Sequence, residues 1–135
     1  MRSVILYKTY HGSTKKYADW LKAEIGADIY EYGELKSIDF EQYDRIFVMS
    51  GPYIGFMPLN RMLKKIWKKI QDKEVVAIAV GVATEEEEWS KRSYRMIPEE
   101  IRAKIKYFKI RGRMKEESED LVKKENLESI FKALN

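Results

Sequence analysis

The 135-residue chain has no cysteine and one histidine, which excludes thiolate chemistry, disulfides and a histidine-rich metal site. With 44% hydrophobic residues, a single domain spanning residues 1–135 can bury a substantial core. The formal net charge of +4, with 36% of residues charged, fits either a well-solvated surface or a basic docking face for an acidic partner, an anionic membrane or nucleic acid. Because cysteine is absent and histidine occurs once, any chemistry is expected to come from a cofactor.

Neither a membrane span nor a nucleic-acid partner is expected. The longest apolar run, Val75–Ala83, is far below the roughly 18 residues of a membrane span. Met1–Ser3 leads directly into a predicted strand without a signal peptide, so we expect a cytoplasmic protein. No RNP-like aromatic motif, zinc finger or glycine-rich RNA loop accompanies the basic charge.

Short apolar runs alternate along the chain with amphipathic segments. The predicted strands are Ser3–Tyr7, Asp28–Tyr32, Arg45–Met49, Glu74–Ala83 and Lys106–Ile110. The predicted helices are Ser13–Ile25, Leu59–Ile70, most of Glu85–Lys104 with a restart or kink at Pro98, and Glu117–Leu134. Alternating strands and helices predict a parallel sheet covered on both faces, whose ligands bind beyond the carboxyl ends of the strands.

The loop after the first predicted strand, TYHGST at residues 9–14, is rich in hydroxyl groups. Thr9, Ser13 and Thr14 offer neutral donors. Gly12 lets the backbone close around an anion, and the first amides of the next helix carry about half a positive charge. Together they favour a phosphate monoester; the plainer alternative is that Ser13 or Thr14 only caps the helix. The GxxxxGK and GxGxxG motifs are absent, which argues against P-loop and dinucleotide sites.

TYHGST resembles the loop that cradles the FMN phosphate in the flavodoxin family. Thr9, Gly12 and Thr14 match the family pattern, whereas His11 and Ser13 depart from it. The resemblance implies FMN as the cofactor and a flavodoxin-like fold, an α/β doubly wound three-layer sandwich with a five-stranded parallel sheet in the order 2-1-3-4-5. His11 is interpreted either as a donor to the phosphate or as a solvated loop residue. The implied phosphate contacts are Thr9, Tyr10, His11, Gly12, Ser13 and Thr14.

Two further loops are compared with the same family. The second loop, MSGPYIGFMP at residues 49–58, resembles the segment that approaches the flavin ring, with Tyr53 lying against the ring. The implied contacts in this loop are Ser50, Gly51, Pro52, Tyr53, Ile54 and Gly55. The third loop, residues 80–94, is less regular: Thr84 and Glu87 fit a capping box at a helix start. Trp89 is expected to cover the outer flavin face, the alternative being that it packs on its own helix.

The resemblance implies an FMN-binding redox protein in which the flavin transfers electrons or hydride and no side chain acts as a catalytic acid or base. The segment YDRIFVMSGPYIG and the basic helix Leu59–Ile70 suggest a finer alternative, the single-domain subset that resembles FMN-dependent protoporphyrinogen oxidase. The expected partner is a redox protein or a small-molecule substrate of acidic character. A flavin-free interaction domain that keeps the fold is the alternative from another class. A phosphoryl receiver is disfavoured, since Lys8, Thr9, Met49 and Ser50 stand where it needs acidic residues.

Overall fold

The computed structural model describes residues 1–10, 12–51, 58–81, 86–112 and 121–134. Its strands are β1 (Ser3–Lys8), β2 (Asp28–Glu31), β3 (Arg45–Ser50), β4 (Glu74–Gly81) and β5 (Ile105–Arg111). Its α-helices are α1 (Ser13–Ile25), α2 (Pro58–Ile70), α3 (Glu88–Arg95), α4 (Glu99–Arg102) and α5 (Glu128–Leu134). Short 3₁₀ helices cover Tyr32–Ser37, Phe40–Gln42 and Lys124–Leu127.

The strands form one five-stranded parallel sheet in the order β2-β1-β3-β4-β5. One row of the register runs from Val4 through Ile46 and Val75 to Ile105. The chain leaves β1 toward β2 on one side and returns to β3 on the other, so the strand order reverses between β1 and β3. This confirms the predicted doubly wound fold, in which a ligand binds at the carboxyl edge beside that reversal.

Two apolar layers sandwich the sheet. Helices α2, α3 and α4 cover one face, over a core that includes Val48, Leu63 and Ile101. Helices α1 and α5 cover the other face, where Tyr17 and Ile130 are fully buried. Since β4 is buried on both faces, its sequence is a nearly continuous apolar run. Within the described residues, no helix is long and apolar enough to cross a membrane.

The connection from β2 to β3 contains two 3₁₀ helices. The carboxylate of Glu31 accepts a hydrogen bond from Gly33 N (2.7 Å), and Glu34 Oε1 accepts one from Glu31 N (2.9 Å). This reciprocal cap also ends β2 at Glu31, one residue before the predicted end. Hydrophobic periodicity cannot predict such hydrogen bonds between a side chain and a nearby backbone amide.

The segment Glu85–Lys104 was predicted to be mostly helical and is divided into α3 and α4. Pro98 lies at the division, with its carbonyl accepting hydrogen bonds from the amides of Ile101 and Arg102 at 2.9 Å. Proline disfavours a helical conformation in the residue before it, so Pro98 starts a new short helix rather than kinking a long one.

The closing helix was predicted over Glu117–Leu134, and α5 is shorter because it begins at Glu128. Before it, Asn126 Nδ2 donates to the hydroxyl of Tyr17 (2.7 Å) and to the carbonyl of Leu121 (3.0 Å). These contacts hold the chain outside a regular α-helix at this point. Residues 117–120 of the predicted helix, and the predicted end of the fourth strand at 82–83, lie outside the described residues.

Candidate functional site

The loop between β1 and α1 is organised around Gly12. Its backbone is left-handed, with φ of 87°, a conformation that favours glycine. Gly12 N donates to Thr9 Oγ1 (3.1 Å), and Gly12 O accepts from Lys16 N (3.0 Å) to begin the helix. Because the oxygen of Thr9 is the acceptor in this bond, its hydroxyl proton can still be donated to a ligand.

The start of α1 carries the positive potential of a helix N-terminus. Gly12 is the N-cap, and among the described residues the helix has no side-chain cap hydrogen bond and no acidic residue in its first turn. Amides of a first helical turn have no intrahelical acceptor, and the helix dipole adds to their positive character. Ser13 and Thr14 lie inside this turn, so the alternative that one of them caps the helix is wrong. The positive φ of Gly12 turns the chain into the helix without a capping hydroxyl.

Two glycines bring neighbouring loops against this first turn. A Cβ atom on Gly51, after β3, would lie 3.2 Å from the carbonyl oxygen of Val80 and 3.3 Å from Thr14 Oγ1. A Cβ atom on Gly112, after β5, would lie 2.6 Å from Val80 Cγ1 and 3.2 Å from Ser13 Oγ. The carboxyl ends of β3, β4 and β5 therefore close around the start of α1, and Ser13 and Thr14 are only 7% and 3% exposed.

The remaining described residues of the expected site are Tyr10, Ser50 and Trp89. Ser50 is fully buried, and its hydroxyl donates to the carbonyl of Gly51 (2.9 Å), fixing the start of the second loop. The ammonium of Lys8 lies 5.7 Å from the ring centroid of Tyr10. Trp89 is the second residue of α3 and is 43% exposed. His11, Pro52, Tyr53, Ile54 and Gly55, with the capping residue Thr84, lie outside the described residues.

Helix α3 begins later than the predicted capping box implies. Its N-cap is Glu87, with no side-chain cap hydrogen bond, and Glu88 is its first helical residue. Glu87, predicted as the inner member of that box, is therefore the cap position itself. The glutamate-rich stretch mostly precedes the helix instead of forming its first turn.

Sequence reasoning missed two cations at the carboxyl edge. Lys109 Nζ donates to the carbonyl of Gly81, the last residue of β4, at 3.0 Å. Arg111 ends β5, and its Nε is buried without a hydrogen-bond partner among the described residues. The signal was present as a basic run with a glycine, KIRGR at residues 109–113, which begins inside the fifth predicted strand and continues past its end. Both residues add positive charge where the sheet is expected to hold an anion.

The fold and the first turn of α1 define an α/β protein with a candidate anion site at the carboxyl edge of its sheet. A family model described as a flavodoxin domain matches residues 4–135, so the chain belongs to the flavodoxin domain family. A search of curated proteins finds no match.

Solved flavodoxin structures share the fold at low sequence identity. A flavoprotein from Lactobacillus acidophilus NCFM, in complex with FMN, is 18% identical over 82% of this chain and 92% of its own, with a TM-score of 0.57. A short-chain flavodoxin associated with a PDU bacterial microcompartment is 16% identical over 100% of both chains, with a TM-score of 0.58. Flavodoxin 2 from Bacillus cereus, in its oxidised form, is 17% identical over 98% of this chain and 99% of its own, with a TM-score of 0.55.

Proposed function

We propose that residues 1–135 form one flavodoxin-like domain that binds FMN and works as a redox protein. The observation that carries the proposal is the first turn of α1, which has Gly12 as its N-cap and, among the described residues, neither a side-chain cap hydrogen bond nor an acidic residue. A phosphate group supplies the anion that this arrangement lacks. Membership of the flavodoxin domain family supports FMN as its carrier.

The described residues fit the phosphate end of FMN. The hydroxyl proton of Thr9 is available to a phosphate oxygen because the Thr9 oxygen accepts from Gly12 N. Thr14 lies in the same turn, with its hydroxyl beside Gly51, where a larger residue would collide with it. Further proposed phosphate contacts are Tyr10, His11, Gly12 and Ser13, and proposed ring contacts are Ser50, Gly51, Pro52, Tyr53, Ile54, Gly55 and Trp89.

When bound, FMN supplies the electron or hydride chemistry. The chain binds it, orients it and sets the charge around it. Lys109 and Arg111 place positive charge at the ends of β4 and β5. Such charge favours a gain of negative charge nearby, so we propose that the site favours accepting electrons from a substrate or partner.

The basic face of α2 is the observation that favours an acidic partner. Lys64, Lys65, Lys68 and Lys69 are all exposed on this helix, opposite the apolar face that packs on the sheet. The finer candidate function, oxidation of a porphyrinogen, draws its support from these lysines, which would attract the substrate's propionates. An acidic redox protein would be attracted by the same charges. In either case we propose a cytoplasmic location.

A flavin titration tests the proposal. The flavin-free protein is titrated with FMN, riboflavin and FAD, and binding is followed by flavin absorbance and fluorescence. We expect FMN to bind most tightly, since each charge-assisted hydrogen bond to phosphate contributes about 1.5–3 kcal/mol. Equal affinity for riboflavin contradicts a site built around the terminal phosphate. A folded protein that binds none of the three supports the flavin-free interaction domain instead.

A further inference from the structure

Helix α2 has a strongly basic outer face. It contains five basic residues and no acidic residue. Four of them are exposed and form no ion pair among the described residues: Lys64, Lys65, Lys68 and Lys69. By contrast, Lys15 on α1 and Lys106 on β5 lie 2.8 Å and 2.7 Å from carboxylate oxygens. The charge of α2 is therefore available to an acidic group outside the chain.

Two large apolar side chains on α3 are exposed to solvent. Trp89 is 43% exposed, and Met96, the C-cap of the helix, is 56% exposed. The two residues are seven positions apart, which is about two helical turns, so they lie on the same side of α3 and about 10 Å apart along its axis. Exposed apolar side chains that lie together within a polar border are typical of a protein interaction site.

A hydrogen bond shows which neighbour this side of α3 faces. Asn60 Nδ2 on α2 donates to the carbonyl oxygen of Ser93 on α3 (3.3 Å). Trp89 is four residues before Ser93 and Met96 is three residues after it, so all three lie on one flank of the helix. The other flank carries Tyr94, whose ring lies against a tyrosine of β5. Trp89 and Met96 therefore lie on the flank beside α2.

Two of the lysines of α2 lie on its flank toward α3. Lys64 and Lys68 are four and eight residues after Asn60, and residues at this spacing share one flank of a helix. Both side chains are exposed, so two positive charges border the apolar pair across the seam between the helices. We define the α2–α3 face as Lys64, Lys68, Trp89 and Met96.

The α2–α3 face begins at the carboxyl edge of the sheet. Helix α2 starts at Pro58, soon after β3, and α3 starts at Glu88, soon after β4. Both helices therefore begin at the edge where the cofactor is proposed to bind. Trp89 is the second residue of α3 and is also a proposed ring contact. A protein bound on this face would lie close to the proposed flavin, as electron transfer between two proteins requires.

We propose that the α2–α3 face is the docking surface for the redox partner and that this partner is an acidic protein; the inference rests on the proposed function. Trp89 and Met96 form the apolar centre of the interface, since tryptophan and methionine are enriched in protein interfaces. Lys64 and Lys68 pair with carboxylates of the partner and speed its association. A nucleic acid would be bound through contacts between lysine and phosphate that do not need Met96.

The test uses an acidic [2Fe–2S] ferredoxin as the probe and cytochrome c, a basic protein that also carries one electron, as the matched control. Each is titrated into ¹⁵N-labelled protein, once flavin-free and once loaded with FMN, and the amide signals are followed by NMR. We expect saturable binding of the ferredoxin alone, with changes centred on α2 and α3 that weaken at high ionic strength. No saturable binding, equal binding of cytochrome c or changes centred on α1 and α5 would each overturn the proposal.

The two preparations separate this proposal from the proposed function. A protein that binds FMN but not the ferredoxin would overturn the docking surface and leave FMN binding intact. A protein that binds the ferredoxin on the α2–α3 face but binds no FMN would contradict the proposed function, and with it the redox nature of the partner.

Paired lysine variants separate a local surface from general net charge. The double variant Lys64→Gln, Lys68→Gln should weaken ferredoxin binding about ten-fold. Lys22→Gln, Lys132→Gln makes the same change in net charge at exposed positions on α1 and α5, which cover the opposite face of the sheet, and should leave the affinity within about two-fold of the wild type. Equal effects of the two double variants would contradict a docking surface on α2 and α3.

Met96 tests the apolar centre without changing a proposed flavin contact. Met96→Gln should weaken ferredoxin binding about three- to ten-fold, whereas Met96→Leu keeps an apolar side chain and should bind like the wild type. The Tm of Met96→Gln should not fall, because the side chain is largely exposed. Unchanged affinity in Met96→Gln, or tighter binding of single-stranded DNA than of the ferredoxin, would overturn the assignment of a protein partner.

Discussion

The hydroxyl of Tyr17 donates a hydrogen bond of 2.5 Å to the backbone carbonyl of Arg111, joining the first helix to the end of the last strand. The same hydroxyl accepts from Asn126 Nδ2 (2.7 Å) and from Lys123 N (3.2 Å). Burial raises the pKa of Tyr17, against the opposing effect of these two donated hydrogen bonds. One buried phenol therefore connects α1, β5 and the segment before α5, next to the proposed cofactor loop.

Removing this hydroxyl should destabilise the protein. In Tyr17→Phe the carbonyl of Arg111 and the donors on Asn126 and Lys123 all lose their partner, and we expect a loss of about 1–3 kcal/mol. Denaturant unfolding measures it. Tyr32→Phe is the matched control, because Tyr32 packs on the other core cluster and makes none of these hydrogen bonds. Equal stability losses in the two variants would count against the connecting role of Tyr17.

Stability should fall at alkaline pH partly because of Tyr107. Burial raises its pKa from 10.0 to about 12, so above pH 10 the unfolded chain loses this proton before the folded protein does. The contribution is complete below pH 10 and is lost as the pH rises through about 12. By pH 11 the wild type should have lost about 1.4 kcal/mol relative to Tyr107→Phe. The free energy of unfolding of both proteins at pH 8 and pH 11 measures this difference. The same loss of stability between the two pH values in both proteins would contradict the prediction.

The sheet could be predicted from the sequence because β1, β3 and β4 are largely buried on both faces and leave nearly unbroken apolar runs. The loop after β1 could be predicted because glycine and hydroxyl residues are concentrated between a strand and a helix. These features lie in contiguous sequence. A single pass along the chain therefore detects them.

Contacts between distant segments could not be predicted in this way. Gly112 lies so close to Val80 and Ser13 that a Cβ atom there would crowd both side chains. Both residues are far from Gly112 in sequence, and no residue beside Gly112 in the sequence reveals this contact. The ring contact between Tyr94 on α3 and Tyr107 on β5 likewise exists only after folding. The hydroxyls at 13 and 14 were recognised, but their position inside the first turn of α1 follows from the left-handed N-cap at Gly12.

Gly51→Ala should disturb the cofactor site. The added Cβ would lie 3.2 Å from the carbonyl oxygen of Val80 and 3.3 Å from Thr14 Oγ1. Since the Val80 contact is to backbone, the loop after β3 must shift, and overpacking of this kind costs about 1–3 kcal/mol. We expect both lower stability and weaker FMN binding, measured by unfolding and by titration. Wild-type values for both would show that this close approach has no energetic role.

Thr14 separates a hydroxyl that binds phosphate from one that only fills space. Thr14→Val removes the hydroxyl and keeps the shape, whereas Thr14→Ser keeps the hydroxyl and removes a methyl group. If the hydroxyl donates to phosphate, the valine variant should bind FMN about ten-fold or more weakly, and the serine variant should remain close to the wild type.

The free energy of unfolding of the two flavin-free variants is measured beside their FMN affinity. A helix cap contributes about 0.5–2 kcal/mol to the free energy of unfolding whether or not a ligand is present. The cap of α1 is Gly12, so Thr14→Val does not remove a cap. The valine variant should therefore lose more in FMN binding than in flavin-free stability. Equal affinity losses in the valine and serine variants would assign the effect to packing against Gly51. A loss of stability with unchanged FMN affinity would remove Thr14 from the binding site, since a ligand contact must appear in the binding equilibrium.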